Sequence, residues 1–177
     1  MRLFLLLGII LLCFGCKNET NVNVQEDIQI MPLDSLSKKS ISLDLLKLST
    51  QAEKDLSSFE DFKNLKNLTQ TMRGANPFHV RKYADSINGL IQTFEENLSE
   101  DLNVNTINAR ITILLTEAGL LRQLTEQKHP ESEKVLDANT RLITAYNSLI
   151  IQLNELSLAI PENIEKELLR ELENKEE

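Results

Sequence analysis

The side chains able to do chemistry are few, and their spacing suits little of it. His79 stands two residues after Pro77, and His129 directly precedes Pro130. Both positions read as solvated helix ends. A ferritin-like di-metal site needs two Glu-x-x-His motifs on different helices, and these two histidines do not supply them. No Ser lies in a G-x-S-x-G elbow, and no glycine-rich loop is present to cradle a phosphate. Carboxylates fall in adjacent pairs, Glu60/Asp61, Glu95/Glu96 and Glu100/Asp101, which read as solvated faces rather than a general acid and base. Both cysteines, Cys13 and Cys16, lie at the N-terminal end. None is left further along for a disulfide, a zinc site or a thiol nucleophile. The sequence therefore predicts no catalytic residue, no metal and no cofactor.

Polar residues inside apolar stripes are more informative. Asn139 interrupts an otherwise apolar seam, where a buried amide costs stability unless it is paired and so often fixes register. Arg110 and Glu117 lie seven apart on the flank of the preceding helix. Two readings stand: a partly buried polar network that aligns neighbouring helices, or a ligand-recognising cluster formed by Arg110, Glu117 and Asn139. Asp137 and Arg141 are spaced i, i+4 with the acid first, the orientation that supports a helix. Tyr83 and Tyr146 read as core aromatics, and Gly119 as a point of close helix approach.

These residues must be carried on helices. The chain has 177 residues, 41% apolar and 26% charged, with only five Gly and four Pro. So few turn residues argue against a sandwich, a barrel or a glycine-loop nucleotide fold. The first helical region, about Leu43 to Met72, carries Leu56, Phe59, Phe62, Leu65 and Leu68 at a spacing of three. That stripe wraps around a 3.6-residue helix, which implies burial on several sides or a break near Ser57-Ser58. Thr50 with Glu53 offers a capping box, leaving Leu43 to Ser49 as a short separate turn. Gly74 is expected to close the helix in a left-handed conformation, with Asn76 capping the next and Pro77 in its first turn.

The second helix, to about Ser99, shows Val80, Ala84, Ile87, Ile91, Phe94 and Leu98 stepping by four and three. The third repeats the rhythm with Ile107, Ile111, Leu114, Ala118 and Leu121. Ile113, Leu115, Leu120 and Leu124 widen its stripe, predicting the most buried helix of the set. The fourth carries Val135, Asn139, Leu142, Tyr146, Leu149, Leu153 and Leu156, broadened by Ile143, Ile150 and Ile151. A shorter last helix, Pro161 to about Asn174, can dock back on the others or be offered to another protein. The fold predicted is all-α: an up-and-down antiparallel four-helix bundle over residues 40–177, with an extra short C-terminal helix.

At the N-terminus, Arg2 precedes the uninterrupted apolar run Leu3 to Phe14. About 12 helical residues rise roughly 18 Å, short of the ~30 Å hydrocarbon core, so the run reads as a signal-peptide core. Cys13-Phe14-Gly15-Cys16 resembles the lipobox of bacterial lipoproteins cut by the type II signal peptidase, with a small residue directly before the cysteine. The resemblance implies a signal peptide over residues 1–15 and acylation of Cys16. It departs from the common pattern in having Cys13 where Leu is usual. Lys17, in the place where Asp marks retention in the inner membrane, implies the outer membrane. Residues 16–39 then form the lipidated cysteine and a tether, rich in Asn, Gln, Glu and Ser, with a reach on the order of 25 Å. Val22/Val24 and Ile28/Ile30 alternate in it, so a short extended segment along the bundle is the other reading of this stretch.

Net charge is −8, with no basic stripe for a phosphate backbone, which disfavours nucleic acid as a partner and makes any membrane attachment hydrophobic. The expectation is a non-enzymatic, lipid-anchored protein of the cell envelope whose bundle binds or scaffolds another envelope protein. A small-ligand-binding or sensory module is the alternative.

Overall fold

A computed structural model describes residues 33–158. The expected signal peptide, Cys16, all but the end of the tether and the short last helix lie outside the described residues.

The fold is all-α. The helices are α1 (Thr50–Asp55), α2 (Glu60–Gly74), α3 (Pro77–Glu96), α4 (Asn105–Thr125) and α5 (Ser132–Leu158), and no strand occurs among the described residues. Helices α2 to α5 form an up-and-down bundle: each packs on the next, and α2 closes the ring against α5.

The three-residue spacing is resolved by a break. Ser49 Oγ accepts the amide of Ala52 to cap α1, which ends in a turn through Leu56 to Ser58 before α2 begins. The break resets the helical phase. Leu56 and Phe62 then both reach the core, and Phe59, half-buried, lies 5.3 Å from the ring of Phe94, which also meets Phe62 at 5.8 Å. Leu43 to Ser49 forms no separate turn; it is extended along α5, tied to Asn147 and Asn154.

At the next corner Asn76 Oδ1 accepts the His79 amide at 3.0 Å and Pro77 opens α3. Gly74 does not adopt the left-handed cap predicted for it: it is helical, Ala75 is extended, and no described residue has positive φ. Proline disfavours helical backbone in the residue before it, and the capping residue must itself be extended. The chain therefore leaves α2 through extended Ala75 and Asn76, and no left-handed residue is required.

The seams on α3 and α4 are buried as their spacing predicts, Leu98 half so. The widening of the α4 stripe is not: Ile113 and Leu120 are 45% and 46% exposed, and Leu115 and Leu124 are half-buried. The most buried helix is instead α5. It alone touches every other described helix, and it buries Ile143, Ala145 and Ile150 beside its seam, while Ile151 faces solvent. Nothing lies within 4 Å of where a Cβ at Gly119 would stand, so this glycine permits no close approach of another helix.

Candidate functional site

Arg110, Glu117 and Asn139 do not converge. Asn139 is fully buried in the bundle and its Nδ2 donates to the Met72 carbonyl of α2 at 3.0 Å. Its Oδ1 is buried with no partner. Glu117, half-buried on α4, instead accepts from Arg141 Nε of α5 at 3.1 Å, and Arg141 also pairs with Asp137 one turn earlier. The physical reason is helical phase: two residues from Asn139, Arg141 and Asp137 stand on the outer side of α5. Two separate polar ties thus join α5 to its neighbours, one to α2 inside and one to α4 outside. None of the clefts described below is lined by Arg110, Glu117 or Asn139.

The most developed polar arrangement involves residues that the sequence reading did not single out. Asn147 Nδ2 donates to the Asp44 carbonyl at 2.8 Å, and its Oδ1 accepts the Leu46 amide at 2.9 Å. Seven residues on, Asn154 Nδ2 donates to the Lys47 carbonyl at 3.2 Å, and its Oδ1 accepts the Ser49 amide at 2.7 Å. Each asparagine therefore presents the donor and acceptor pair that a neighbouring strand would offer. One helical heptad rises about 10.5 Å, and three residues of extended chain span about 10 Å, so two asparagines seven apart match an extended segment at steps of three.

The match continues along the molecule. Lys39 pairs with Glu133 near the start of α5, and Ser49 Oγ meets Ser157 Oγ near its end. About ten extended residues reach roughly 33 Å, and the about 24 helical residues from Glu133 to Ser157 rise roughly 36 Å. Residues 39–49 are thus a strap drawn out along the whole of α5. Asn76 Nδ2 holds its upstream end by the carbonyls of Ser35 and Ser37, and Arg73 holds its middle by the Leu43 carbonyl and the Asp44 carboxylate. Leu45 and Leu48 pack on the core but are only half-buried, and no strap side chain is fully buried. The hydrogen bonds, more than apolar burial, fix its path. The signal in the sequence was a pair of poor helix formers seven apart on one flank of a long helix.

Two open clefts each exceed 700 Å³. One, of about 730 Å³, lies beside the strap and is lined by Asp44 to Leu48, Arg73 and Tyr146. Burial pushes the Tyr146 hydroxyl above the ordinary tyrosine range. The other, of about 720 Å³, lies at the pole where α1, the α3–α4 loop and the end of α5 meet, with Leu56, Phe59, Leu102, Leu153 and Leu156 among its walls and Asp55 and Asp101 in its lining. The strap begins at the opposite pole.

Glu126 and His129, the one Glu-x-x-His spacing in the chain, are both exposed past the end of α4, and no three His, Cys, Asp or Glu among the described residues are placed to hold a metal ion. No described helix is long and apolar enough to cross a membrane. The chain matches no family model, no curated protein and no solved structure.

Proposed function

We propose that this chain is a lipoprotein of the cell envelope, acylated at Cys16, whose helical bundle binds or scaffolds another envelope protein without catalysing a reaction. The observation that carries the reading is the apolar run Leu3 to Phe14 ending in Gly15-Cys16, followed by a helical domain without a catalytic motif. Acyl chains contribute about 0.8 kcal/mol per buried methylene, and two or more make the attachment lasting. Lys17 supports the outer membrane as the destination in a two-membrane cell. The strap supports a direction: chain arriving from Cys16 meets the bundle at the Asn76 pole, so the far pole is the one held out from the lipid.

The test is growth with an alkyne fatty acid, followed by fractionation of a tagged full-length chain and crosslinking in the intact cell. Label on the wild type, lost in Cys16→Ala together with membrane retention, and a discrete crosslinked species are the expected results. An unlabelled wild-type chain would overturn the anchor. A chain that crosslinks to nothing would overturn the scaffold.

A further inference from the structure

The two poles of the bundle differ in charge and in shape. Around the Asn76 pole stand Lys38, Lys39, Arg81 and Lys82. Lys39 is paired with Glu133, and Lys82 lies 4.6 Å over the ring of Phe78. At the far pole the wall residues Asp55 and Asp101 are joined by Glu96 and Glu100 at the end of α3 and in the loop after it, all exposed. Among the described residues none of these four pairs with a cation, whereas Glu53, Asp44, Asp85, Glu131 and Asp137 each do so elsewhere. The same pole holds the cleft of about 720 Å³ with its leucines and Phe59. An apolar cleft edged by unneutralised carboxylates is complementary to an apolar segment edged by cations.

We infer that this cleft is the docking site for the partner, and that the partner presents a basic amphipathic segment: apolar side chains for Leu56, Phe59, Leu102 and Leu156, flanked by Lys or Arg facing Asp55 and Asp101. The inference rests on the partner-binding reading above and gives it a place and a chemistry. The chain's own C-terminal stretch is the nearest competitor, because α5 ends at the cleft and Ile164, Leu168 and Leu172 follow. Its charge is wrong for the site: residues 159–177 carry seven Glu against Lys166, Arg170 and Lys175. Placing it there would bring like charges together, and that disfavours it as occupant.

The experiment uses the full chain, purified in detergent from whole cells, and a fluorescein-labelled amphipathic helix of Leu and Lys, with a Leu and Glu counterpart as control. The Leu/Lys peptide should bind saturably, more weakly at high salt, and shift amide resonances of the cleft walls. The reversal D55K/D101K should weaken it at least tenfold. D85K/E126K, which makes the same charge change toward the other pole, should alter it less than twofold. A circular dichroism spectrum confirms that both variants keep their helices, and resonance mapping on the wild type stands independently of either. Equal weakening by the two reversals, equal binding of the Leu/Glu peptide, or shifts spread away from the cleft would overturn the proposal. So would a tenfold gain in affinity from I164E/L168E, which would make the chain's own C-terminal stretch the occupant. The assay needs no acyl group, so failure of the label at Cys16 and failure of the cleft are separate results.

Discussion

Removing the side-chain amide of Asn147 tests the strap most sharply, because the loss is local and can be read at a single proton. Asn147 makes two hydrogen bonds to the strap, at 2.8 and 2.9 Å, and is half-buried. Water can replace both in the opened state, so each contributes on the order of 1 kcal/mol, about 2 kcal/mol for the pair. Alanine is also the better helix former by about 0.6 kcal/mol, but that gain is equal whether the strap is docked or free, since α5 is helical in both. Local opening therefore feels the whole of about 2 kcal/mol, roughly a 30-fold change, while global stability falls by only about 1.4 kcal/mol. Hydrogen exchange of the Leu46 amide, which donates to Asn147, should accelerate about 30-fold in Asn147→Ala. The Ser49 amide, held by Asn154, should respond less, and Asn154→Ala should reverse the order. Unchanged exchange at Leu46 would refute the reasoning. Equal acceleration at Leu46, Ser49 and a core amide such as that of Ile111 would assign the effect to α5 rather than to the strap.

Three further outcomes follow from burial. Asn139→Leu should be neutral or stabilising by up to about 2 kcal/mol, because it removes a buried oxygen without a partner while the Met72 carbonyl keeps the Ala75 amide as donor; Asn139→Asp should destabilise by several kcal/mol at neutral pH and less near pH ~4, where the carboxyl is protonated, as urea melts at the two pH values will show. Tyr146 has its folded-state ionisation pushed up by burial, so its contribution is complete below the unfolded value of ~10 and is lost as pH rises above that; Tyr146→Phe should flatten the alkaline fall in melting temperature, and an identical fall in both chains would contradict the assignment. Ile111→Ala should cost about 2–5 kcal/mol and Ile113→Ala less than about 0.5 kcal/mol in denaturant melts, since two positions along one turn of α4 separate core from solvent.

The seams of α3 and α4 were legible because a four-three rhythm keeps one face of a helix apolar, and Ile107 to Leu121 obeys it without an exception. Where a second row existed, the sequence could not choose. Ile113 and Leu120 on α4 look like Ile143 and Ile150 on α5, yet the first pair faces solvent and the second the core. What separates them is the number of neighbours each helix has, a property of the assembled bundle. Asn139 was legible as a buried register residue, but its tie to Met72 links positions 67 residues apart in the chain, and no local pattern marks it. The strap was hidden for the same reason. Its leucines follow no period because its hydrogen bonds come from asparagine side chains about a hundred residues away.

Anchoring of the chain rests on one covalent modification, that of Cys16. Intact mass of the full protein extracted from membranes tests it most directly. A mature chain beginning at Cys16, heavier than its polypeptide by a diacylglyceryl group with or without an amide-linked acyl chain, is the predicted result. A chain that begins elsewhere, or begins at Cys16 with a bare thiol, would contradict it.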